Sequence, residues 1–122
     1  LAGGNLTTLC HLVGTPFAPR FRGYLLFLED HNEALYRLDR MLHHLLLSGV
    51  LEGVAGVVLG SFTNCGSAGG LQEMLATALA PLKAPVLMNL PVGHQPDNHT
   101  LPLGARARLD AAAGTLTLLN SG

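Results

Sequence analysis

The sequence predicts a mixed α/β domain, and three observations carry that reading. Apolar runs of strand length alternate with amphipathic helical stripes over residues 1–90, the pattern of parallel strands joined by helical crossovers. The strand-like runs are apolar at nearly every position, as in strands covered on both faces. Residues 103–109 and 115–119 instead form two short extended segments around 111–114, which read as an antiparallel pair.

Residues 5–13 read as a short helix. Asn5 can cap it, Leu6, Leu9, Cys10 and Val13 share one face, and Gly14 can end it. Gly3-Gly4 ahead of it allows a close backbone approach, and residues 15–19 form a proline-bounded loop. Residues 23–28 read as a buried strand. Asn32 is the expected cap of the next helix, residues 33–47, with a stripe of Leu35, Leu38, Leu42, Leu45 and Leu46. Glu33 and Arg37 form an i,i+4 pair away from that stripe, and Gly49 suits a left-handed end. Residues 54–62 read as a second buried strand and the small, polar residues 63–70 as a loop. Residues 71–82 follow as a helix, with Leu71, Met74, Leu75, Ala78 and Leu79 on one face. Residues 85–90 are a third strand and 93–100 a polar loop.

The chain has 122 residues, enough for one core. Only 12% of them are charged, against roughly 25% in ordinary domains. Either the chain is unusually buried, or part of its surface lies against something else. A net charge of −1, with no Lys/Arg cluster and a single lysine, Lys83, argues against a nucleic-acid-binding face. The apolar runs, such as Val54 to Leu59, are too short to span a bilayer, so the chain reads as soluble. It starts at Leu1 without a signal-peptide pattern and reads as cut from a longer chain. Cys10 and Cys65 read as free thiols, and no C-x-x-C motif calls for zinc or redox chemistry.

Glu29 and His94 stand at the ends of apolar runs, Leu25-Leu26-Phe27-Leu28 for the first and Leu87-Met88-Asn89-Leu90-Pro91-Val92-Gly93 for the second. A carboxylate there can orient an imidazole and stabilise its charged form, and a histidine after a glycine can present its ring in a cleft. On residue logic alone the favoured account is plainer: Glu29 caps a helix or ends a strand, and His94 is a hydrogen-bonded loop histidine. His43 and His44 point about 100° apart on one helix. His31 and His99 fall in polar loops. His94, Asp97 and His99 match no defined ligand spacing, so no metal or cofactor is expected. No nucleophile stands out. Ser48, Ser61, Ser67 and Ser121 lie outside any G-x-S-x-G turn, although Ser61 could line a cleft, and nothing near Cys65 in sequence would activate its thiol.

An ordered set of short segments resembles the C-terminal domain of the LD-carboxypeptidases, serine peptidases acting on murein peptides. The segments are Gly3-Gly4-Asn5-Leu6, Gly14-Thr15-Pro16, Leu28-Glu29-Asp30, Tyr36-Arg37-Leu38-Asp39-Arg40-Met41-Leu42, Gly49-Val50-Leu51, Val57-Val58-Leu59-Gly60-Ser61-Phe62, Pro85-Val86-Leu87, Gly93-His94 and Thr100-Leu101-Pro102-Leu103-Gly104. The resemblance covers almost the whole chain. It implies a swivelling β/β/α domain with a mixed sheet and about three helices. It also implies a Ser-Glu-His triad whose glutamate falls on Glu29 and whose histidine falls on His94. The serine, and most of the oxyanion hole, would belong to an N-terminal domain that this chain lacks.

The implied reaction is release of the terminal D-alanine from a murein tetrapeptide, in cytoplasmic peptidoglycan recycling by a bacterium. The implied partners are the murein peptide, the missing domain and a second copy of the chain. Two other functions fit such a chain. Related proteins hydrolyse peptide-nucleotide antibiotics and confer self-immunity, but they need an aromatic platform for the base. This chain has no Trp, and residues 63–70 carry no aromatic. The other is a murein-peptide binding module without chemistry.

Overall fold

A computed structural model describes residues 1–120 of the chain. Four strands form one parallel sheet: β1 (Ala2–Asn5), β2 (Leu25–His31), β3 (Gly56–Thr63) and β4 (Val86–Leu87), in that spatial order. Three helices connect them: α1 (Leu6–Leu12) and α2 (Leu35–Ser48) flank β2 in the chain, and α3 (Ala68–Leu79) follows β3. A 3-10 turn, Ala80–Leu82, extends α3. The closing strands β5 (Ala107–Asp110) and β6 (Thr115–Leu118) pair antiparallel as a separate two-stranded sheet. The expected α/β fold with parallel and antiparallel pairing is present, divided between two sheets.

Alternation along the central strands sorts the core into two clusters. Leu26, Leu28, Val57 and Leu59 join Leu6 of α1, Leu38, Leu42 and Leu45 of α2, and Leu75 and Leu79 of α3. Phe27 and Val58 point the other way, to Leu1 and Leu87, with Leu109 and Leu116 of the hairpin against them. This is why β2 and β3 read as apolar at every position. The leucine stripe of α2 is as expected, and burying each of Leu38, Leu42 and Leu45 contributes about 2 kcal/mol. Gly49 ends α2 at φ 83°, with its N–H donating to the Leu46 carbonyl.

Several boundaries differ from the sequence reading. Gly3-Gly4 belongs to β1, whose backbone pairs with residues 26–29 of β2. Glycine hides such a strand, because it brings no side chain to pack and no β-propensity. β2 runs on through Glu29 and Asp30 to His31, so Glu29 is inside the strand and His31 is not a loop residue. Asn32 does not cap α2; it sits at φ 53° and its side-chain oxygen accepts from Asn64, while Ala34 holds the cap position. α3 starts three residues early because the Ser67 hydroxyl accepts from the Gly70 N–H. The third strand contracts to Val86–Leu87 and the first closing strand to Ala107–Asp110.

β1 lies so close to β2 that a Cβ at Gly3, where φ is 133°, would run into the Phe27 carbonyl. Gly3→Ala is therefore expected to lower stability by about 3 kcal/mol. Urea unfolding of the two proteins, read as a shift in midpoint, checks this.

Candidate active site

β2 ends in three polar residues, two of them buried. Strand alternation sends Glu29 and His31 to one face and Asp30 to the other. Asp30 is 2% exposed and faces the start of α1. Its carboxylate accepts from the Thr7 N–H at 3.0 Å, the Thr7 hydroxyl at 2.6 Å and the Asn5 amide at 3.1 Å. A carboxylate at a helix N-terminus satisfies donors that the helix leaves free. Asp30 thus fixes α1 to the end of β2.

On the opposite face Glu29 meets His94. The Glu29 Oε2 atom accepts from Nδ1 of His94 at 2.7 Å, and Oε1 accepts from the Asn5 amide at 3.3 Å. A carboxylate only accepts, so Nδ1 carries the hydrogen of this bond, and in the neutral imidazole the free lone pair is then on Nε2. The Glu29 side chain is 9% exposed, whereas that of His94 is 45% exposed. The imidazole is held from beneath and open above. His31, two residues along from Glu29, stacks on the same ring with centroids 3.8 Å apart and planes at 22°.

The backbone of His94 is held as firmly as its ring. β3 has one residue more than β2 between the pairs Leu28↔Leu59 and Asp30↔Phe62, so a bulge falls at Gly60–Ser61. Ser61 is 5% exposed. Its hydroxyl accepts from the His94 N–H at 3.1 Å and donates to the Val92 carbonyl at 3.3 Å. Gly93 between them adopts φ 143°, and a Cβ there would collide with that hydroxyl. Ser61 therefore holds the loop that carries the ring; it does not touch Nε2 and is not poised as a nucleophile. It also lines a cavity of about 290 Å³ between the end of β3, α3 and residues 88–95, with Gln72, Asn89 and Gln95 as further polar lining.

Neither cysteine is activated. Burial pushes the Cys65 thiol up, and the nearby Asp30, Glu33 and Glu29 carboxylates add to the effect. Burial, reinforced by Asp30, raises Cys10 to about 11. Among the described residues, no group of three His, Cys, Asp or Glu is placed to hold a metal ion. Ser121 lies outside the described residues.

Glu29 and His94 are thus brought together, as a strand-end pair could be. Asp30 and His31 were not singled out from the sequence, because the expected strand stopped at residue 28. Extending it by three residues would have placed His31 beside Glu29 at i+2.

The LD-carboxypeptidase C-terminal domain family matches residues 1–109. The chain belongs to that family. It is 38% identical over 116 residues to the murein tetrapeptide carboxypeptidase of Pseudomonas aeruginosa, a match covering 90% of this chain and 37% of that protein. The crystal structure of muramoyltetrapeptide carboxypeptidase from Oxalobacter formigenes superposes with a TM-score of 0.82 at 41% identity, covering 96% of this chain and 42% of the other. The microcin C7 self-immunity protein MccF of Escherichia coli is 32% identical over 112 residues, covering 88% of this chain and 33% of MccF. The chain spans about two fifths of the length of the curated relatives it matches. No helix among the described residues is long and apolar enough to cross a membrane.

The raised thiols predict slow alkylation at neutral pH. A raised pKa means less thiolate at a given pH, so the Cys10 rate is expected to keep climbing with pH beyond 9 toward a midpoint of about 11. Iodoacetamide labelling across pH 7–11, read by mass spectrometry, checks this.

Proposed function

We propose that this chain supplies the glutamate and histidine of a Ser-Glu-His triad in a serine LD-carboxypeptidase. The serine stands on a separate N-terminal domain. The observation that carries the reading is the 2.7 Å bond from His94 Nδ1 to Glu29, which leaves Nε2 free at the open side of the ring. This is the arrangement of a general base with its orienting carboxylate.

In the proposed reaction the serine hydroxyl attacks the carbonyl carbon of the bond between the L-centre of a diamino acid and the terminal D-alanine. Nε2 of His94 takes the serine proton as the tetrahedral intermediate forms. Glu29 holds the Nδ1–H tautomer and stabilises the imidazolium. As the intermediate collapses, Nε2 passes its proton to the amine of the departing D-alanine. Water then attacks the acyl-enzyme and gives a proton to Nε2 of His94; collapse breaks the ester C–O bond, Nε2 returns that proton to the serine oxygen, and the shortened peptide leaves as its acid. The oxyanion donors come with the serine domain.

The substrate assigned is a murein tetrapeptide, and the place of the reaction is cytoplasmic peptidoglycan recycling. The similarity to the murein tetrapeptide carboxypeptidase supports this assignment. MccF has been solved in complex with glutamyl sulfamoyl guanosine. Such a ligand needs a stacking surface for its base, and the absence of Trp from the chain favours the murein peptide. The serine domain and a second copy of the chain are the proposed protein partners. Phe17 and Leu47, 79% and 87% exposed, are apolar surface available for such contacts.

Two results are expected. The 122-residue chain releases no D-alanine from murein tetrapeptide, because acyl transfer needs the serine. In the intact protein, Glu29→Gln lowers kcat by roughly 10³-fold or more. A coupled assay for D-alanine measures both. Turnover by the purified chain, or an intact Glu29→Gln enzyme near the parent rate, would overturn the proposal.

A further inference from the structure

A hydrogen bond at one nitrogen fixes only part of the orientation of an imidazole. The bond from Nδ1 to Glu29 tolerates a range of angles. The His94 side chain is 45% exposed, so solvent does not restrain the ring on its open side. The bond from the His94 N–H to Ser61 pins the backbone but leaves the side-chain torsions of the ring open. Nε2 swings with any pivot about the Nδ1 contact. A general base must keep that atom within hydrogen-bond reach of the nucleophile.

The feature that opposes such a swing is the His31 ring. It lies against His94 with centroids 3.8 Å apart and an angle of 22° between planes. That contact closes one face of the imidazole along its whole width. His31 itself stands on backbone that is tied to the sheet. It closes β2, paired in register with Thr63 of β3, and its N–H donates to the Asp30 carboxylate at 2.9 Å. The next residue is tied down as well: the Asn32 N–H donates to the Thr63 carbonyl, and the Asn64 amide donates to the Asn32 side chain. The stacking ring is thus anchored to the sheet, whereas the stacked ring is carried by a loop. Glu29 and His31, on one strand face, restrain the same imidazole in two different ways.

We propose that His31 is a positioning residue for His94. It sets the rotation of the imidazole so that Nε2 faces the arriving serine, and it acts through its flat ring, not through a proton. This assignment rests on the reading of His94 as the general base.

The test uses the intact protein, serine domain included, with D-alanine release giving kcat and KM. The variants are His31→Leu, which keeps bulk without a flat ring, and His31→Phe, which restores the ring without its nitrogens. The Nδ1–H proton resonance of His94, observed by NMR in the same proteins, reports the ring independently of turnover. His31→Leu is expected to lower kcat roughly tenfold with KM within about twofold, and to speed solvent exchange of the Nδ1–H proton. His31→Phe is expected to return both to within about threefold of the parent. Thermal midpoints establish that each variant is folded. A His31→Leu enzyme with parental kcat and an unchanged Nδ1–H resonance overturns the assignment, as does a Phe variant no better than the Leu variant. His94→Ala separates the two ideas: full activity in that variant removes the base itself, and with it any role for His31.

Discussion

The site depends on how β2 ends. The strand is buried between β1 and β3, with helices against one face and the hairpin against the other. A polar side chain left unpaired in such a place costs about 1–3 kcal/mol. Three polar residues in succession are tolerable only because each finds a partner. Glu29 takes the imidazole of His94, Asp30 takes the first turn of α1, and His31 takes the face of the same imidazole. The two-residue period of a strand decides which goes where. Shifting the strand by one residue would aim Asp30 at the loop and bury Glu29 against α1.

The second half of the site is held by irregular backbone. β4 has only two residues, yet the chain beyond it stays fastened to β3. The Leu90 N–H donates to the Leu59 carbonyl, and the Ser61 N–H donates to the Val92 carbonyl. The Gly93 N–H donates to the Asn98 side chain and the His99 N–H to the Pro91 carbonyl. These bonds replace a ladder. The bulge at Gly60–Ser61 makes room for them by turning the Ser61 hydroxyl toward the loop. An exposed ring is thereby fixed without a regular strand beneath it.

Much of this was legible in the sequence. The stripe of α2 and the continuous apolar runs of β2 and β3 were recognised as helix and buried strands, with their ends displaced by one to three residues. Glu29 and His94 stood out because a charged and a titratable residue broke apolar runs. What stayed hidden was set by specific contacts, two of them to partners distant in the chain and one to a local cap. Gly3-Gly4 forms a strand only because β2 offers its edge. The first turn of α3 looks like loop because Ala68-Gly69-Gly70 has little helical preference, and the Ser67 hydroxyl supplies what propensity does not. His31 looked like loop because polar residues at a strand end resemble solvent-facing ones until their partners are known.

The sequence separation of the two key side chains has a consequence for biosynthesis. Glu29 and His94 are 65 residues apart, with β3 and α3 between them. Translation at about 5–20 residues per second delivers the carboxylate roughly 3–13 s before the imidazole. During that interval the nascent chain carries the acid with nothing to orient. The imidazole can meet that carboxylate only once the chain has been made through His94, after β3, α3 and β4. The pair is thereby tied to near-completion of the domain, and a chain that has emerged only as far as β3 holds the carboxylate without its ring.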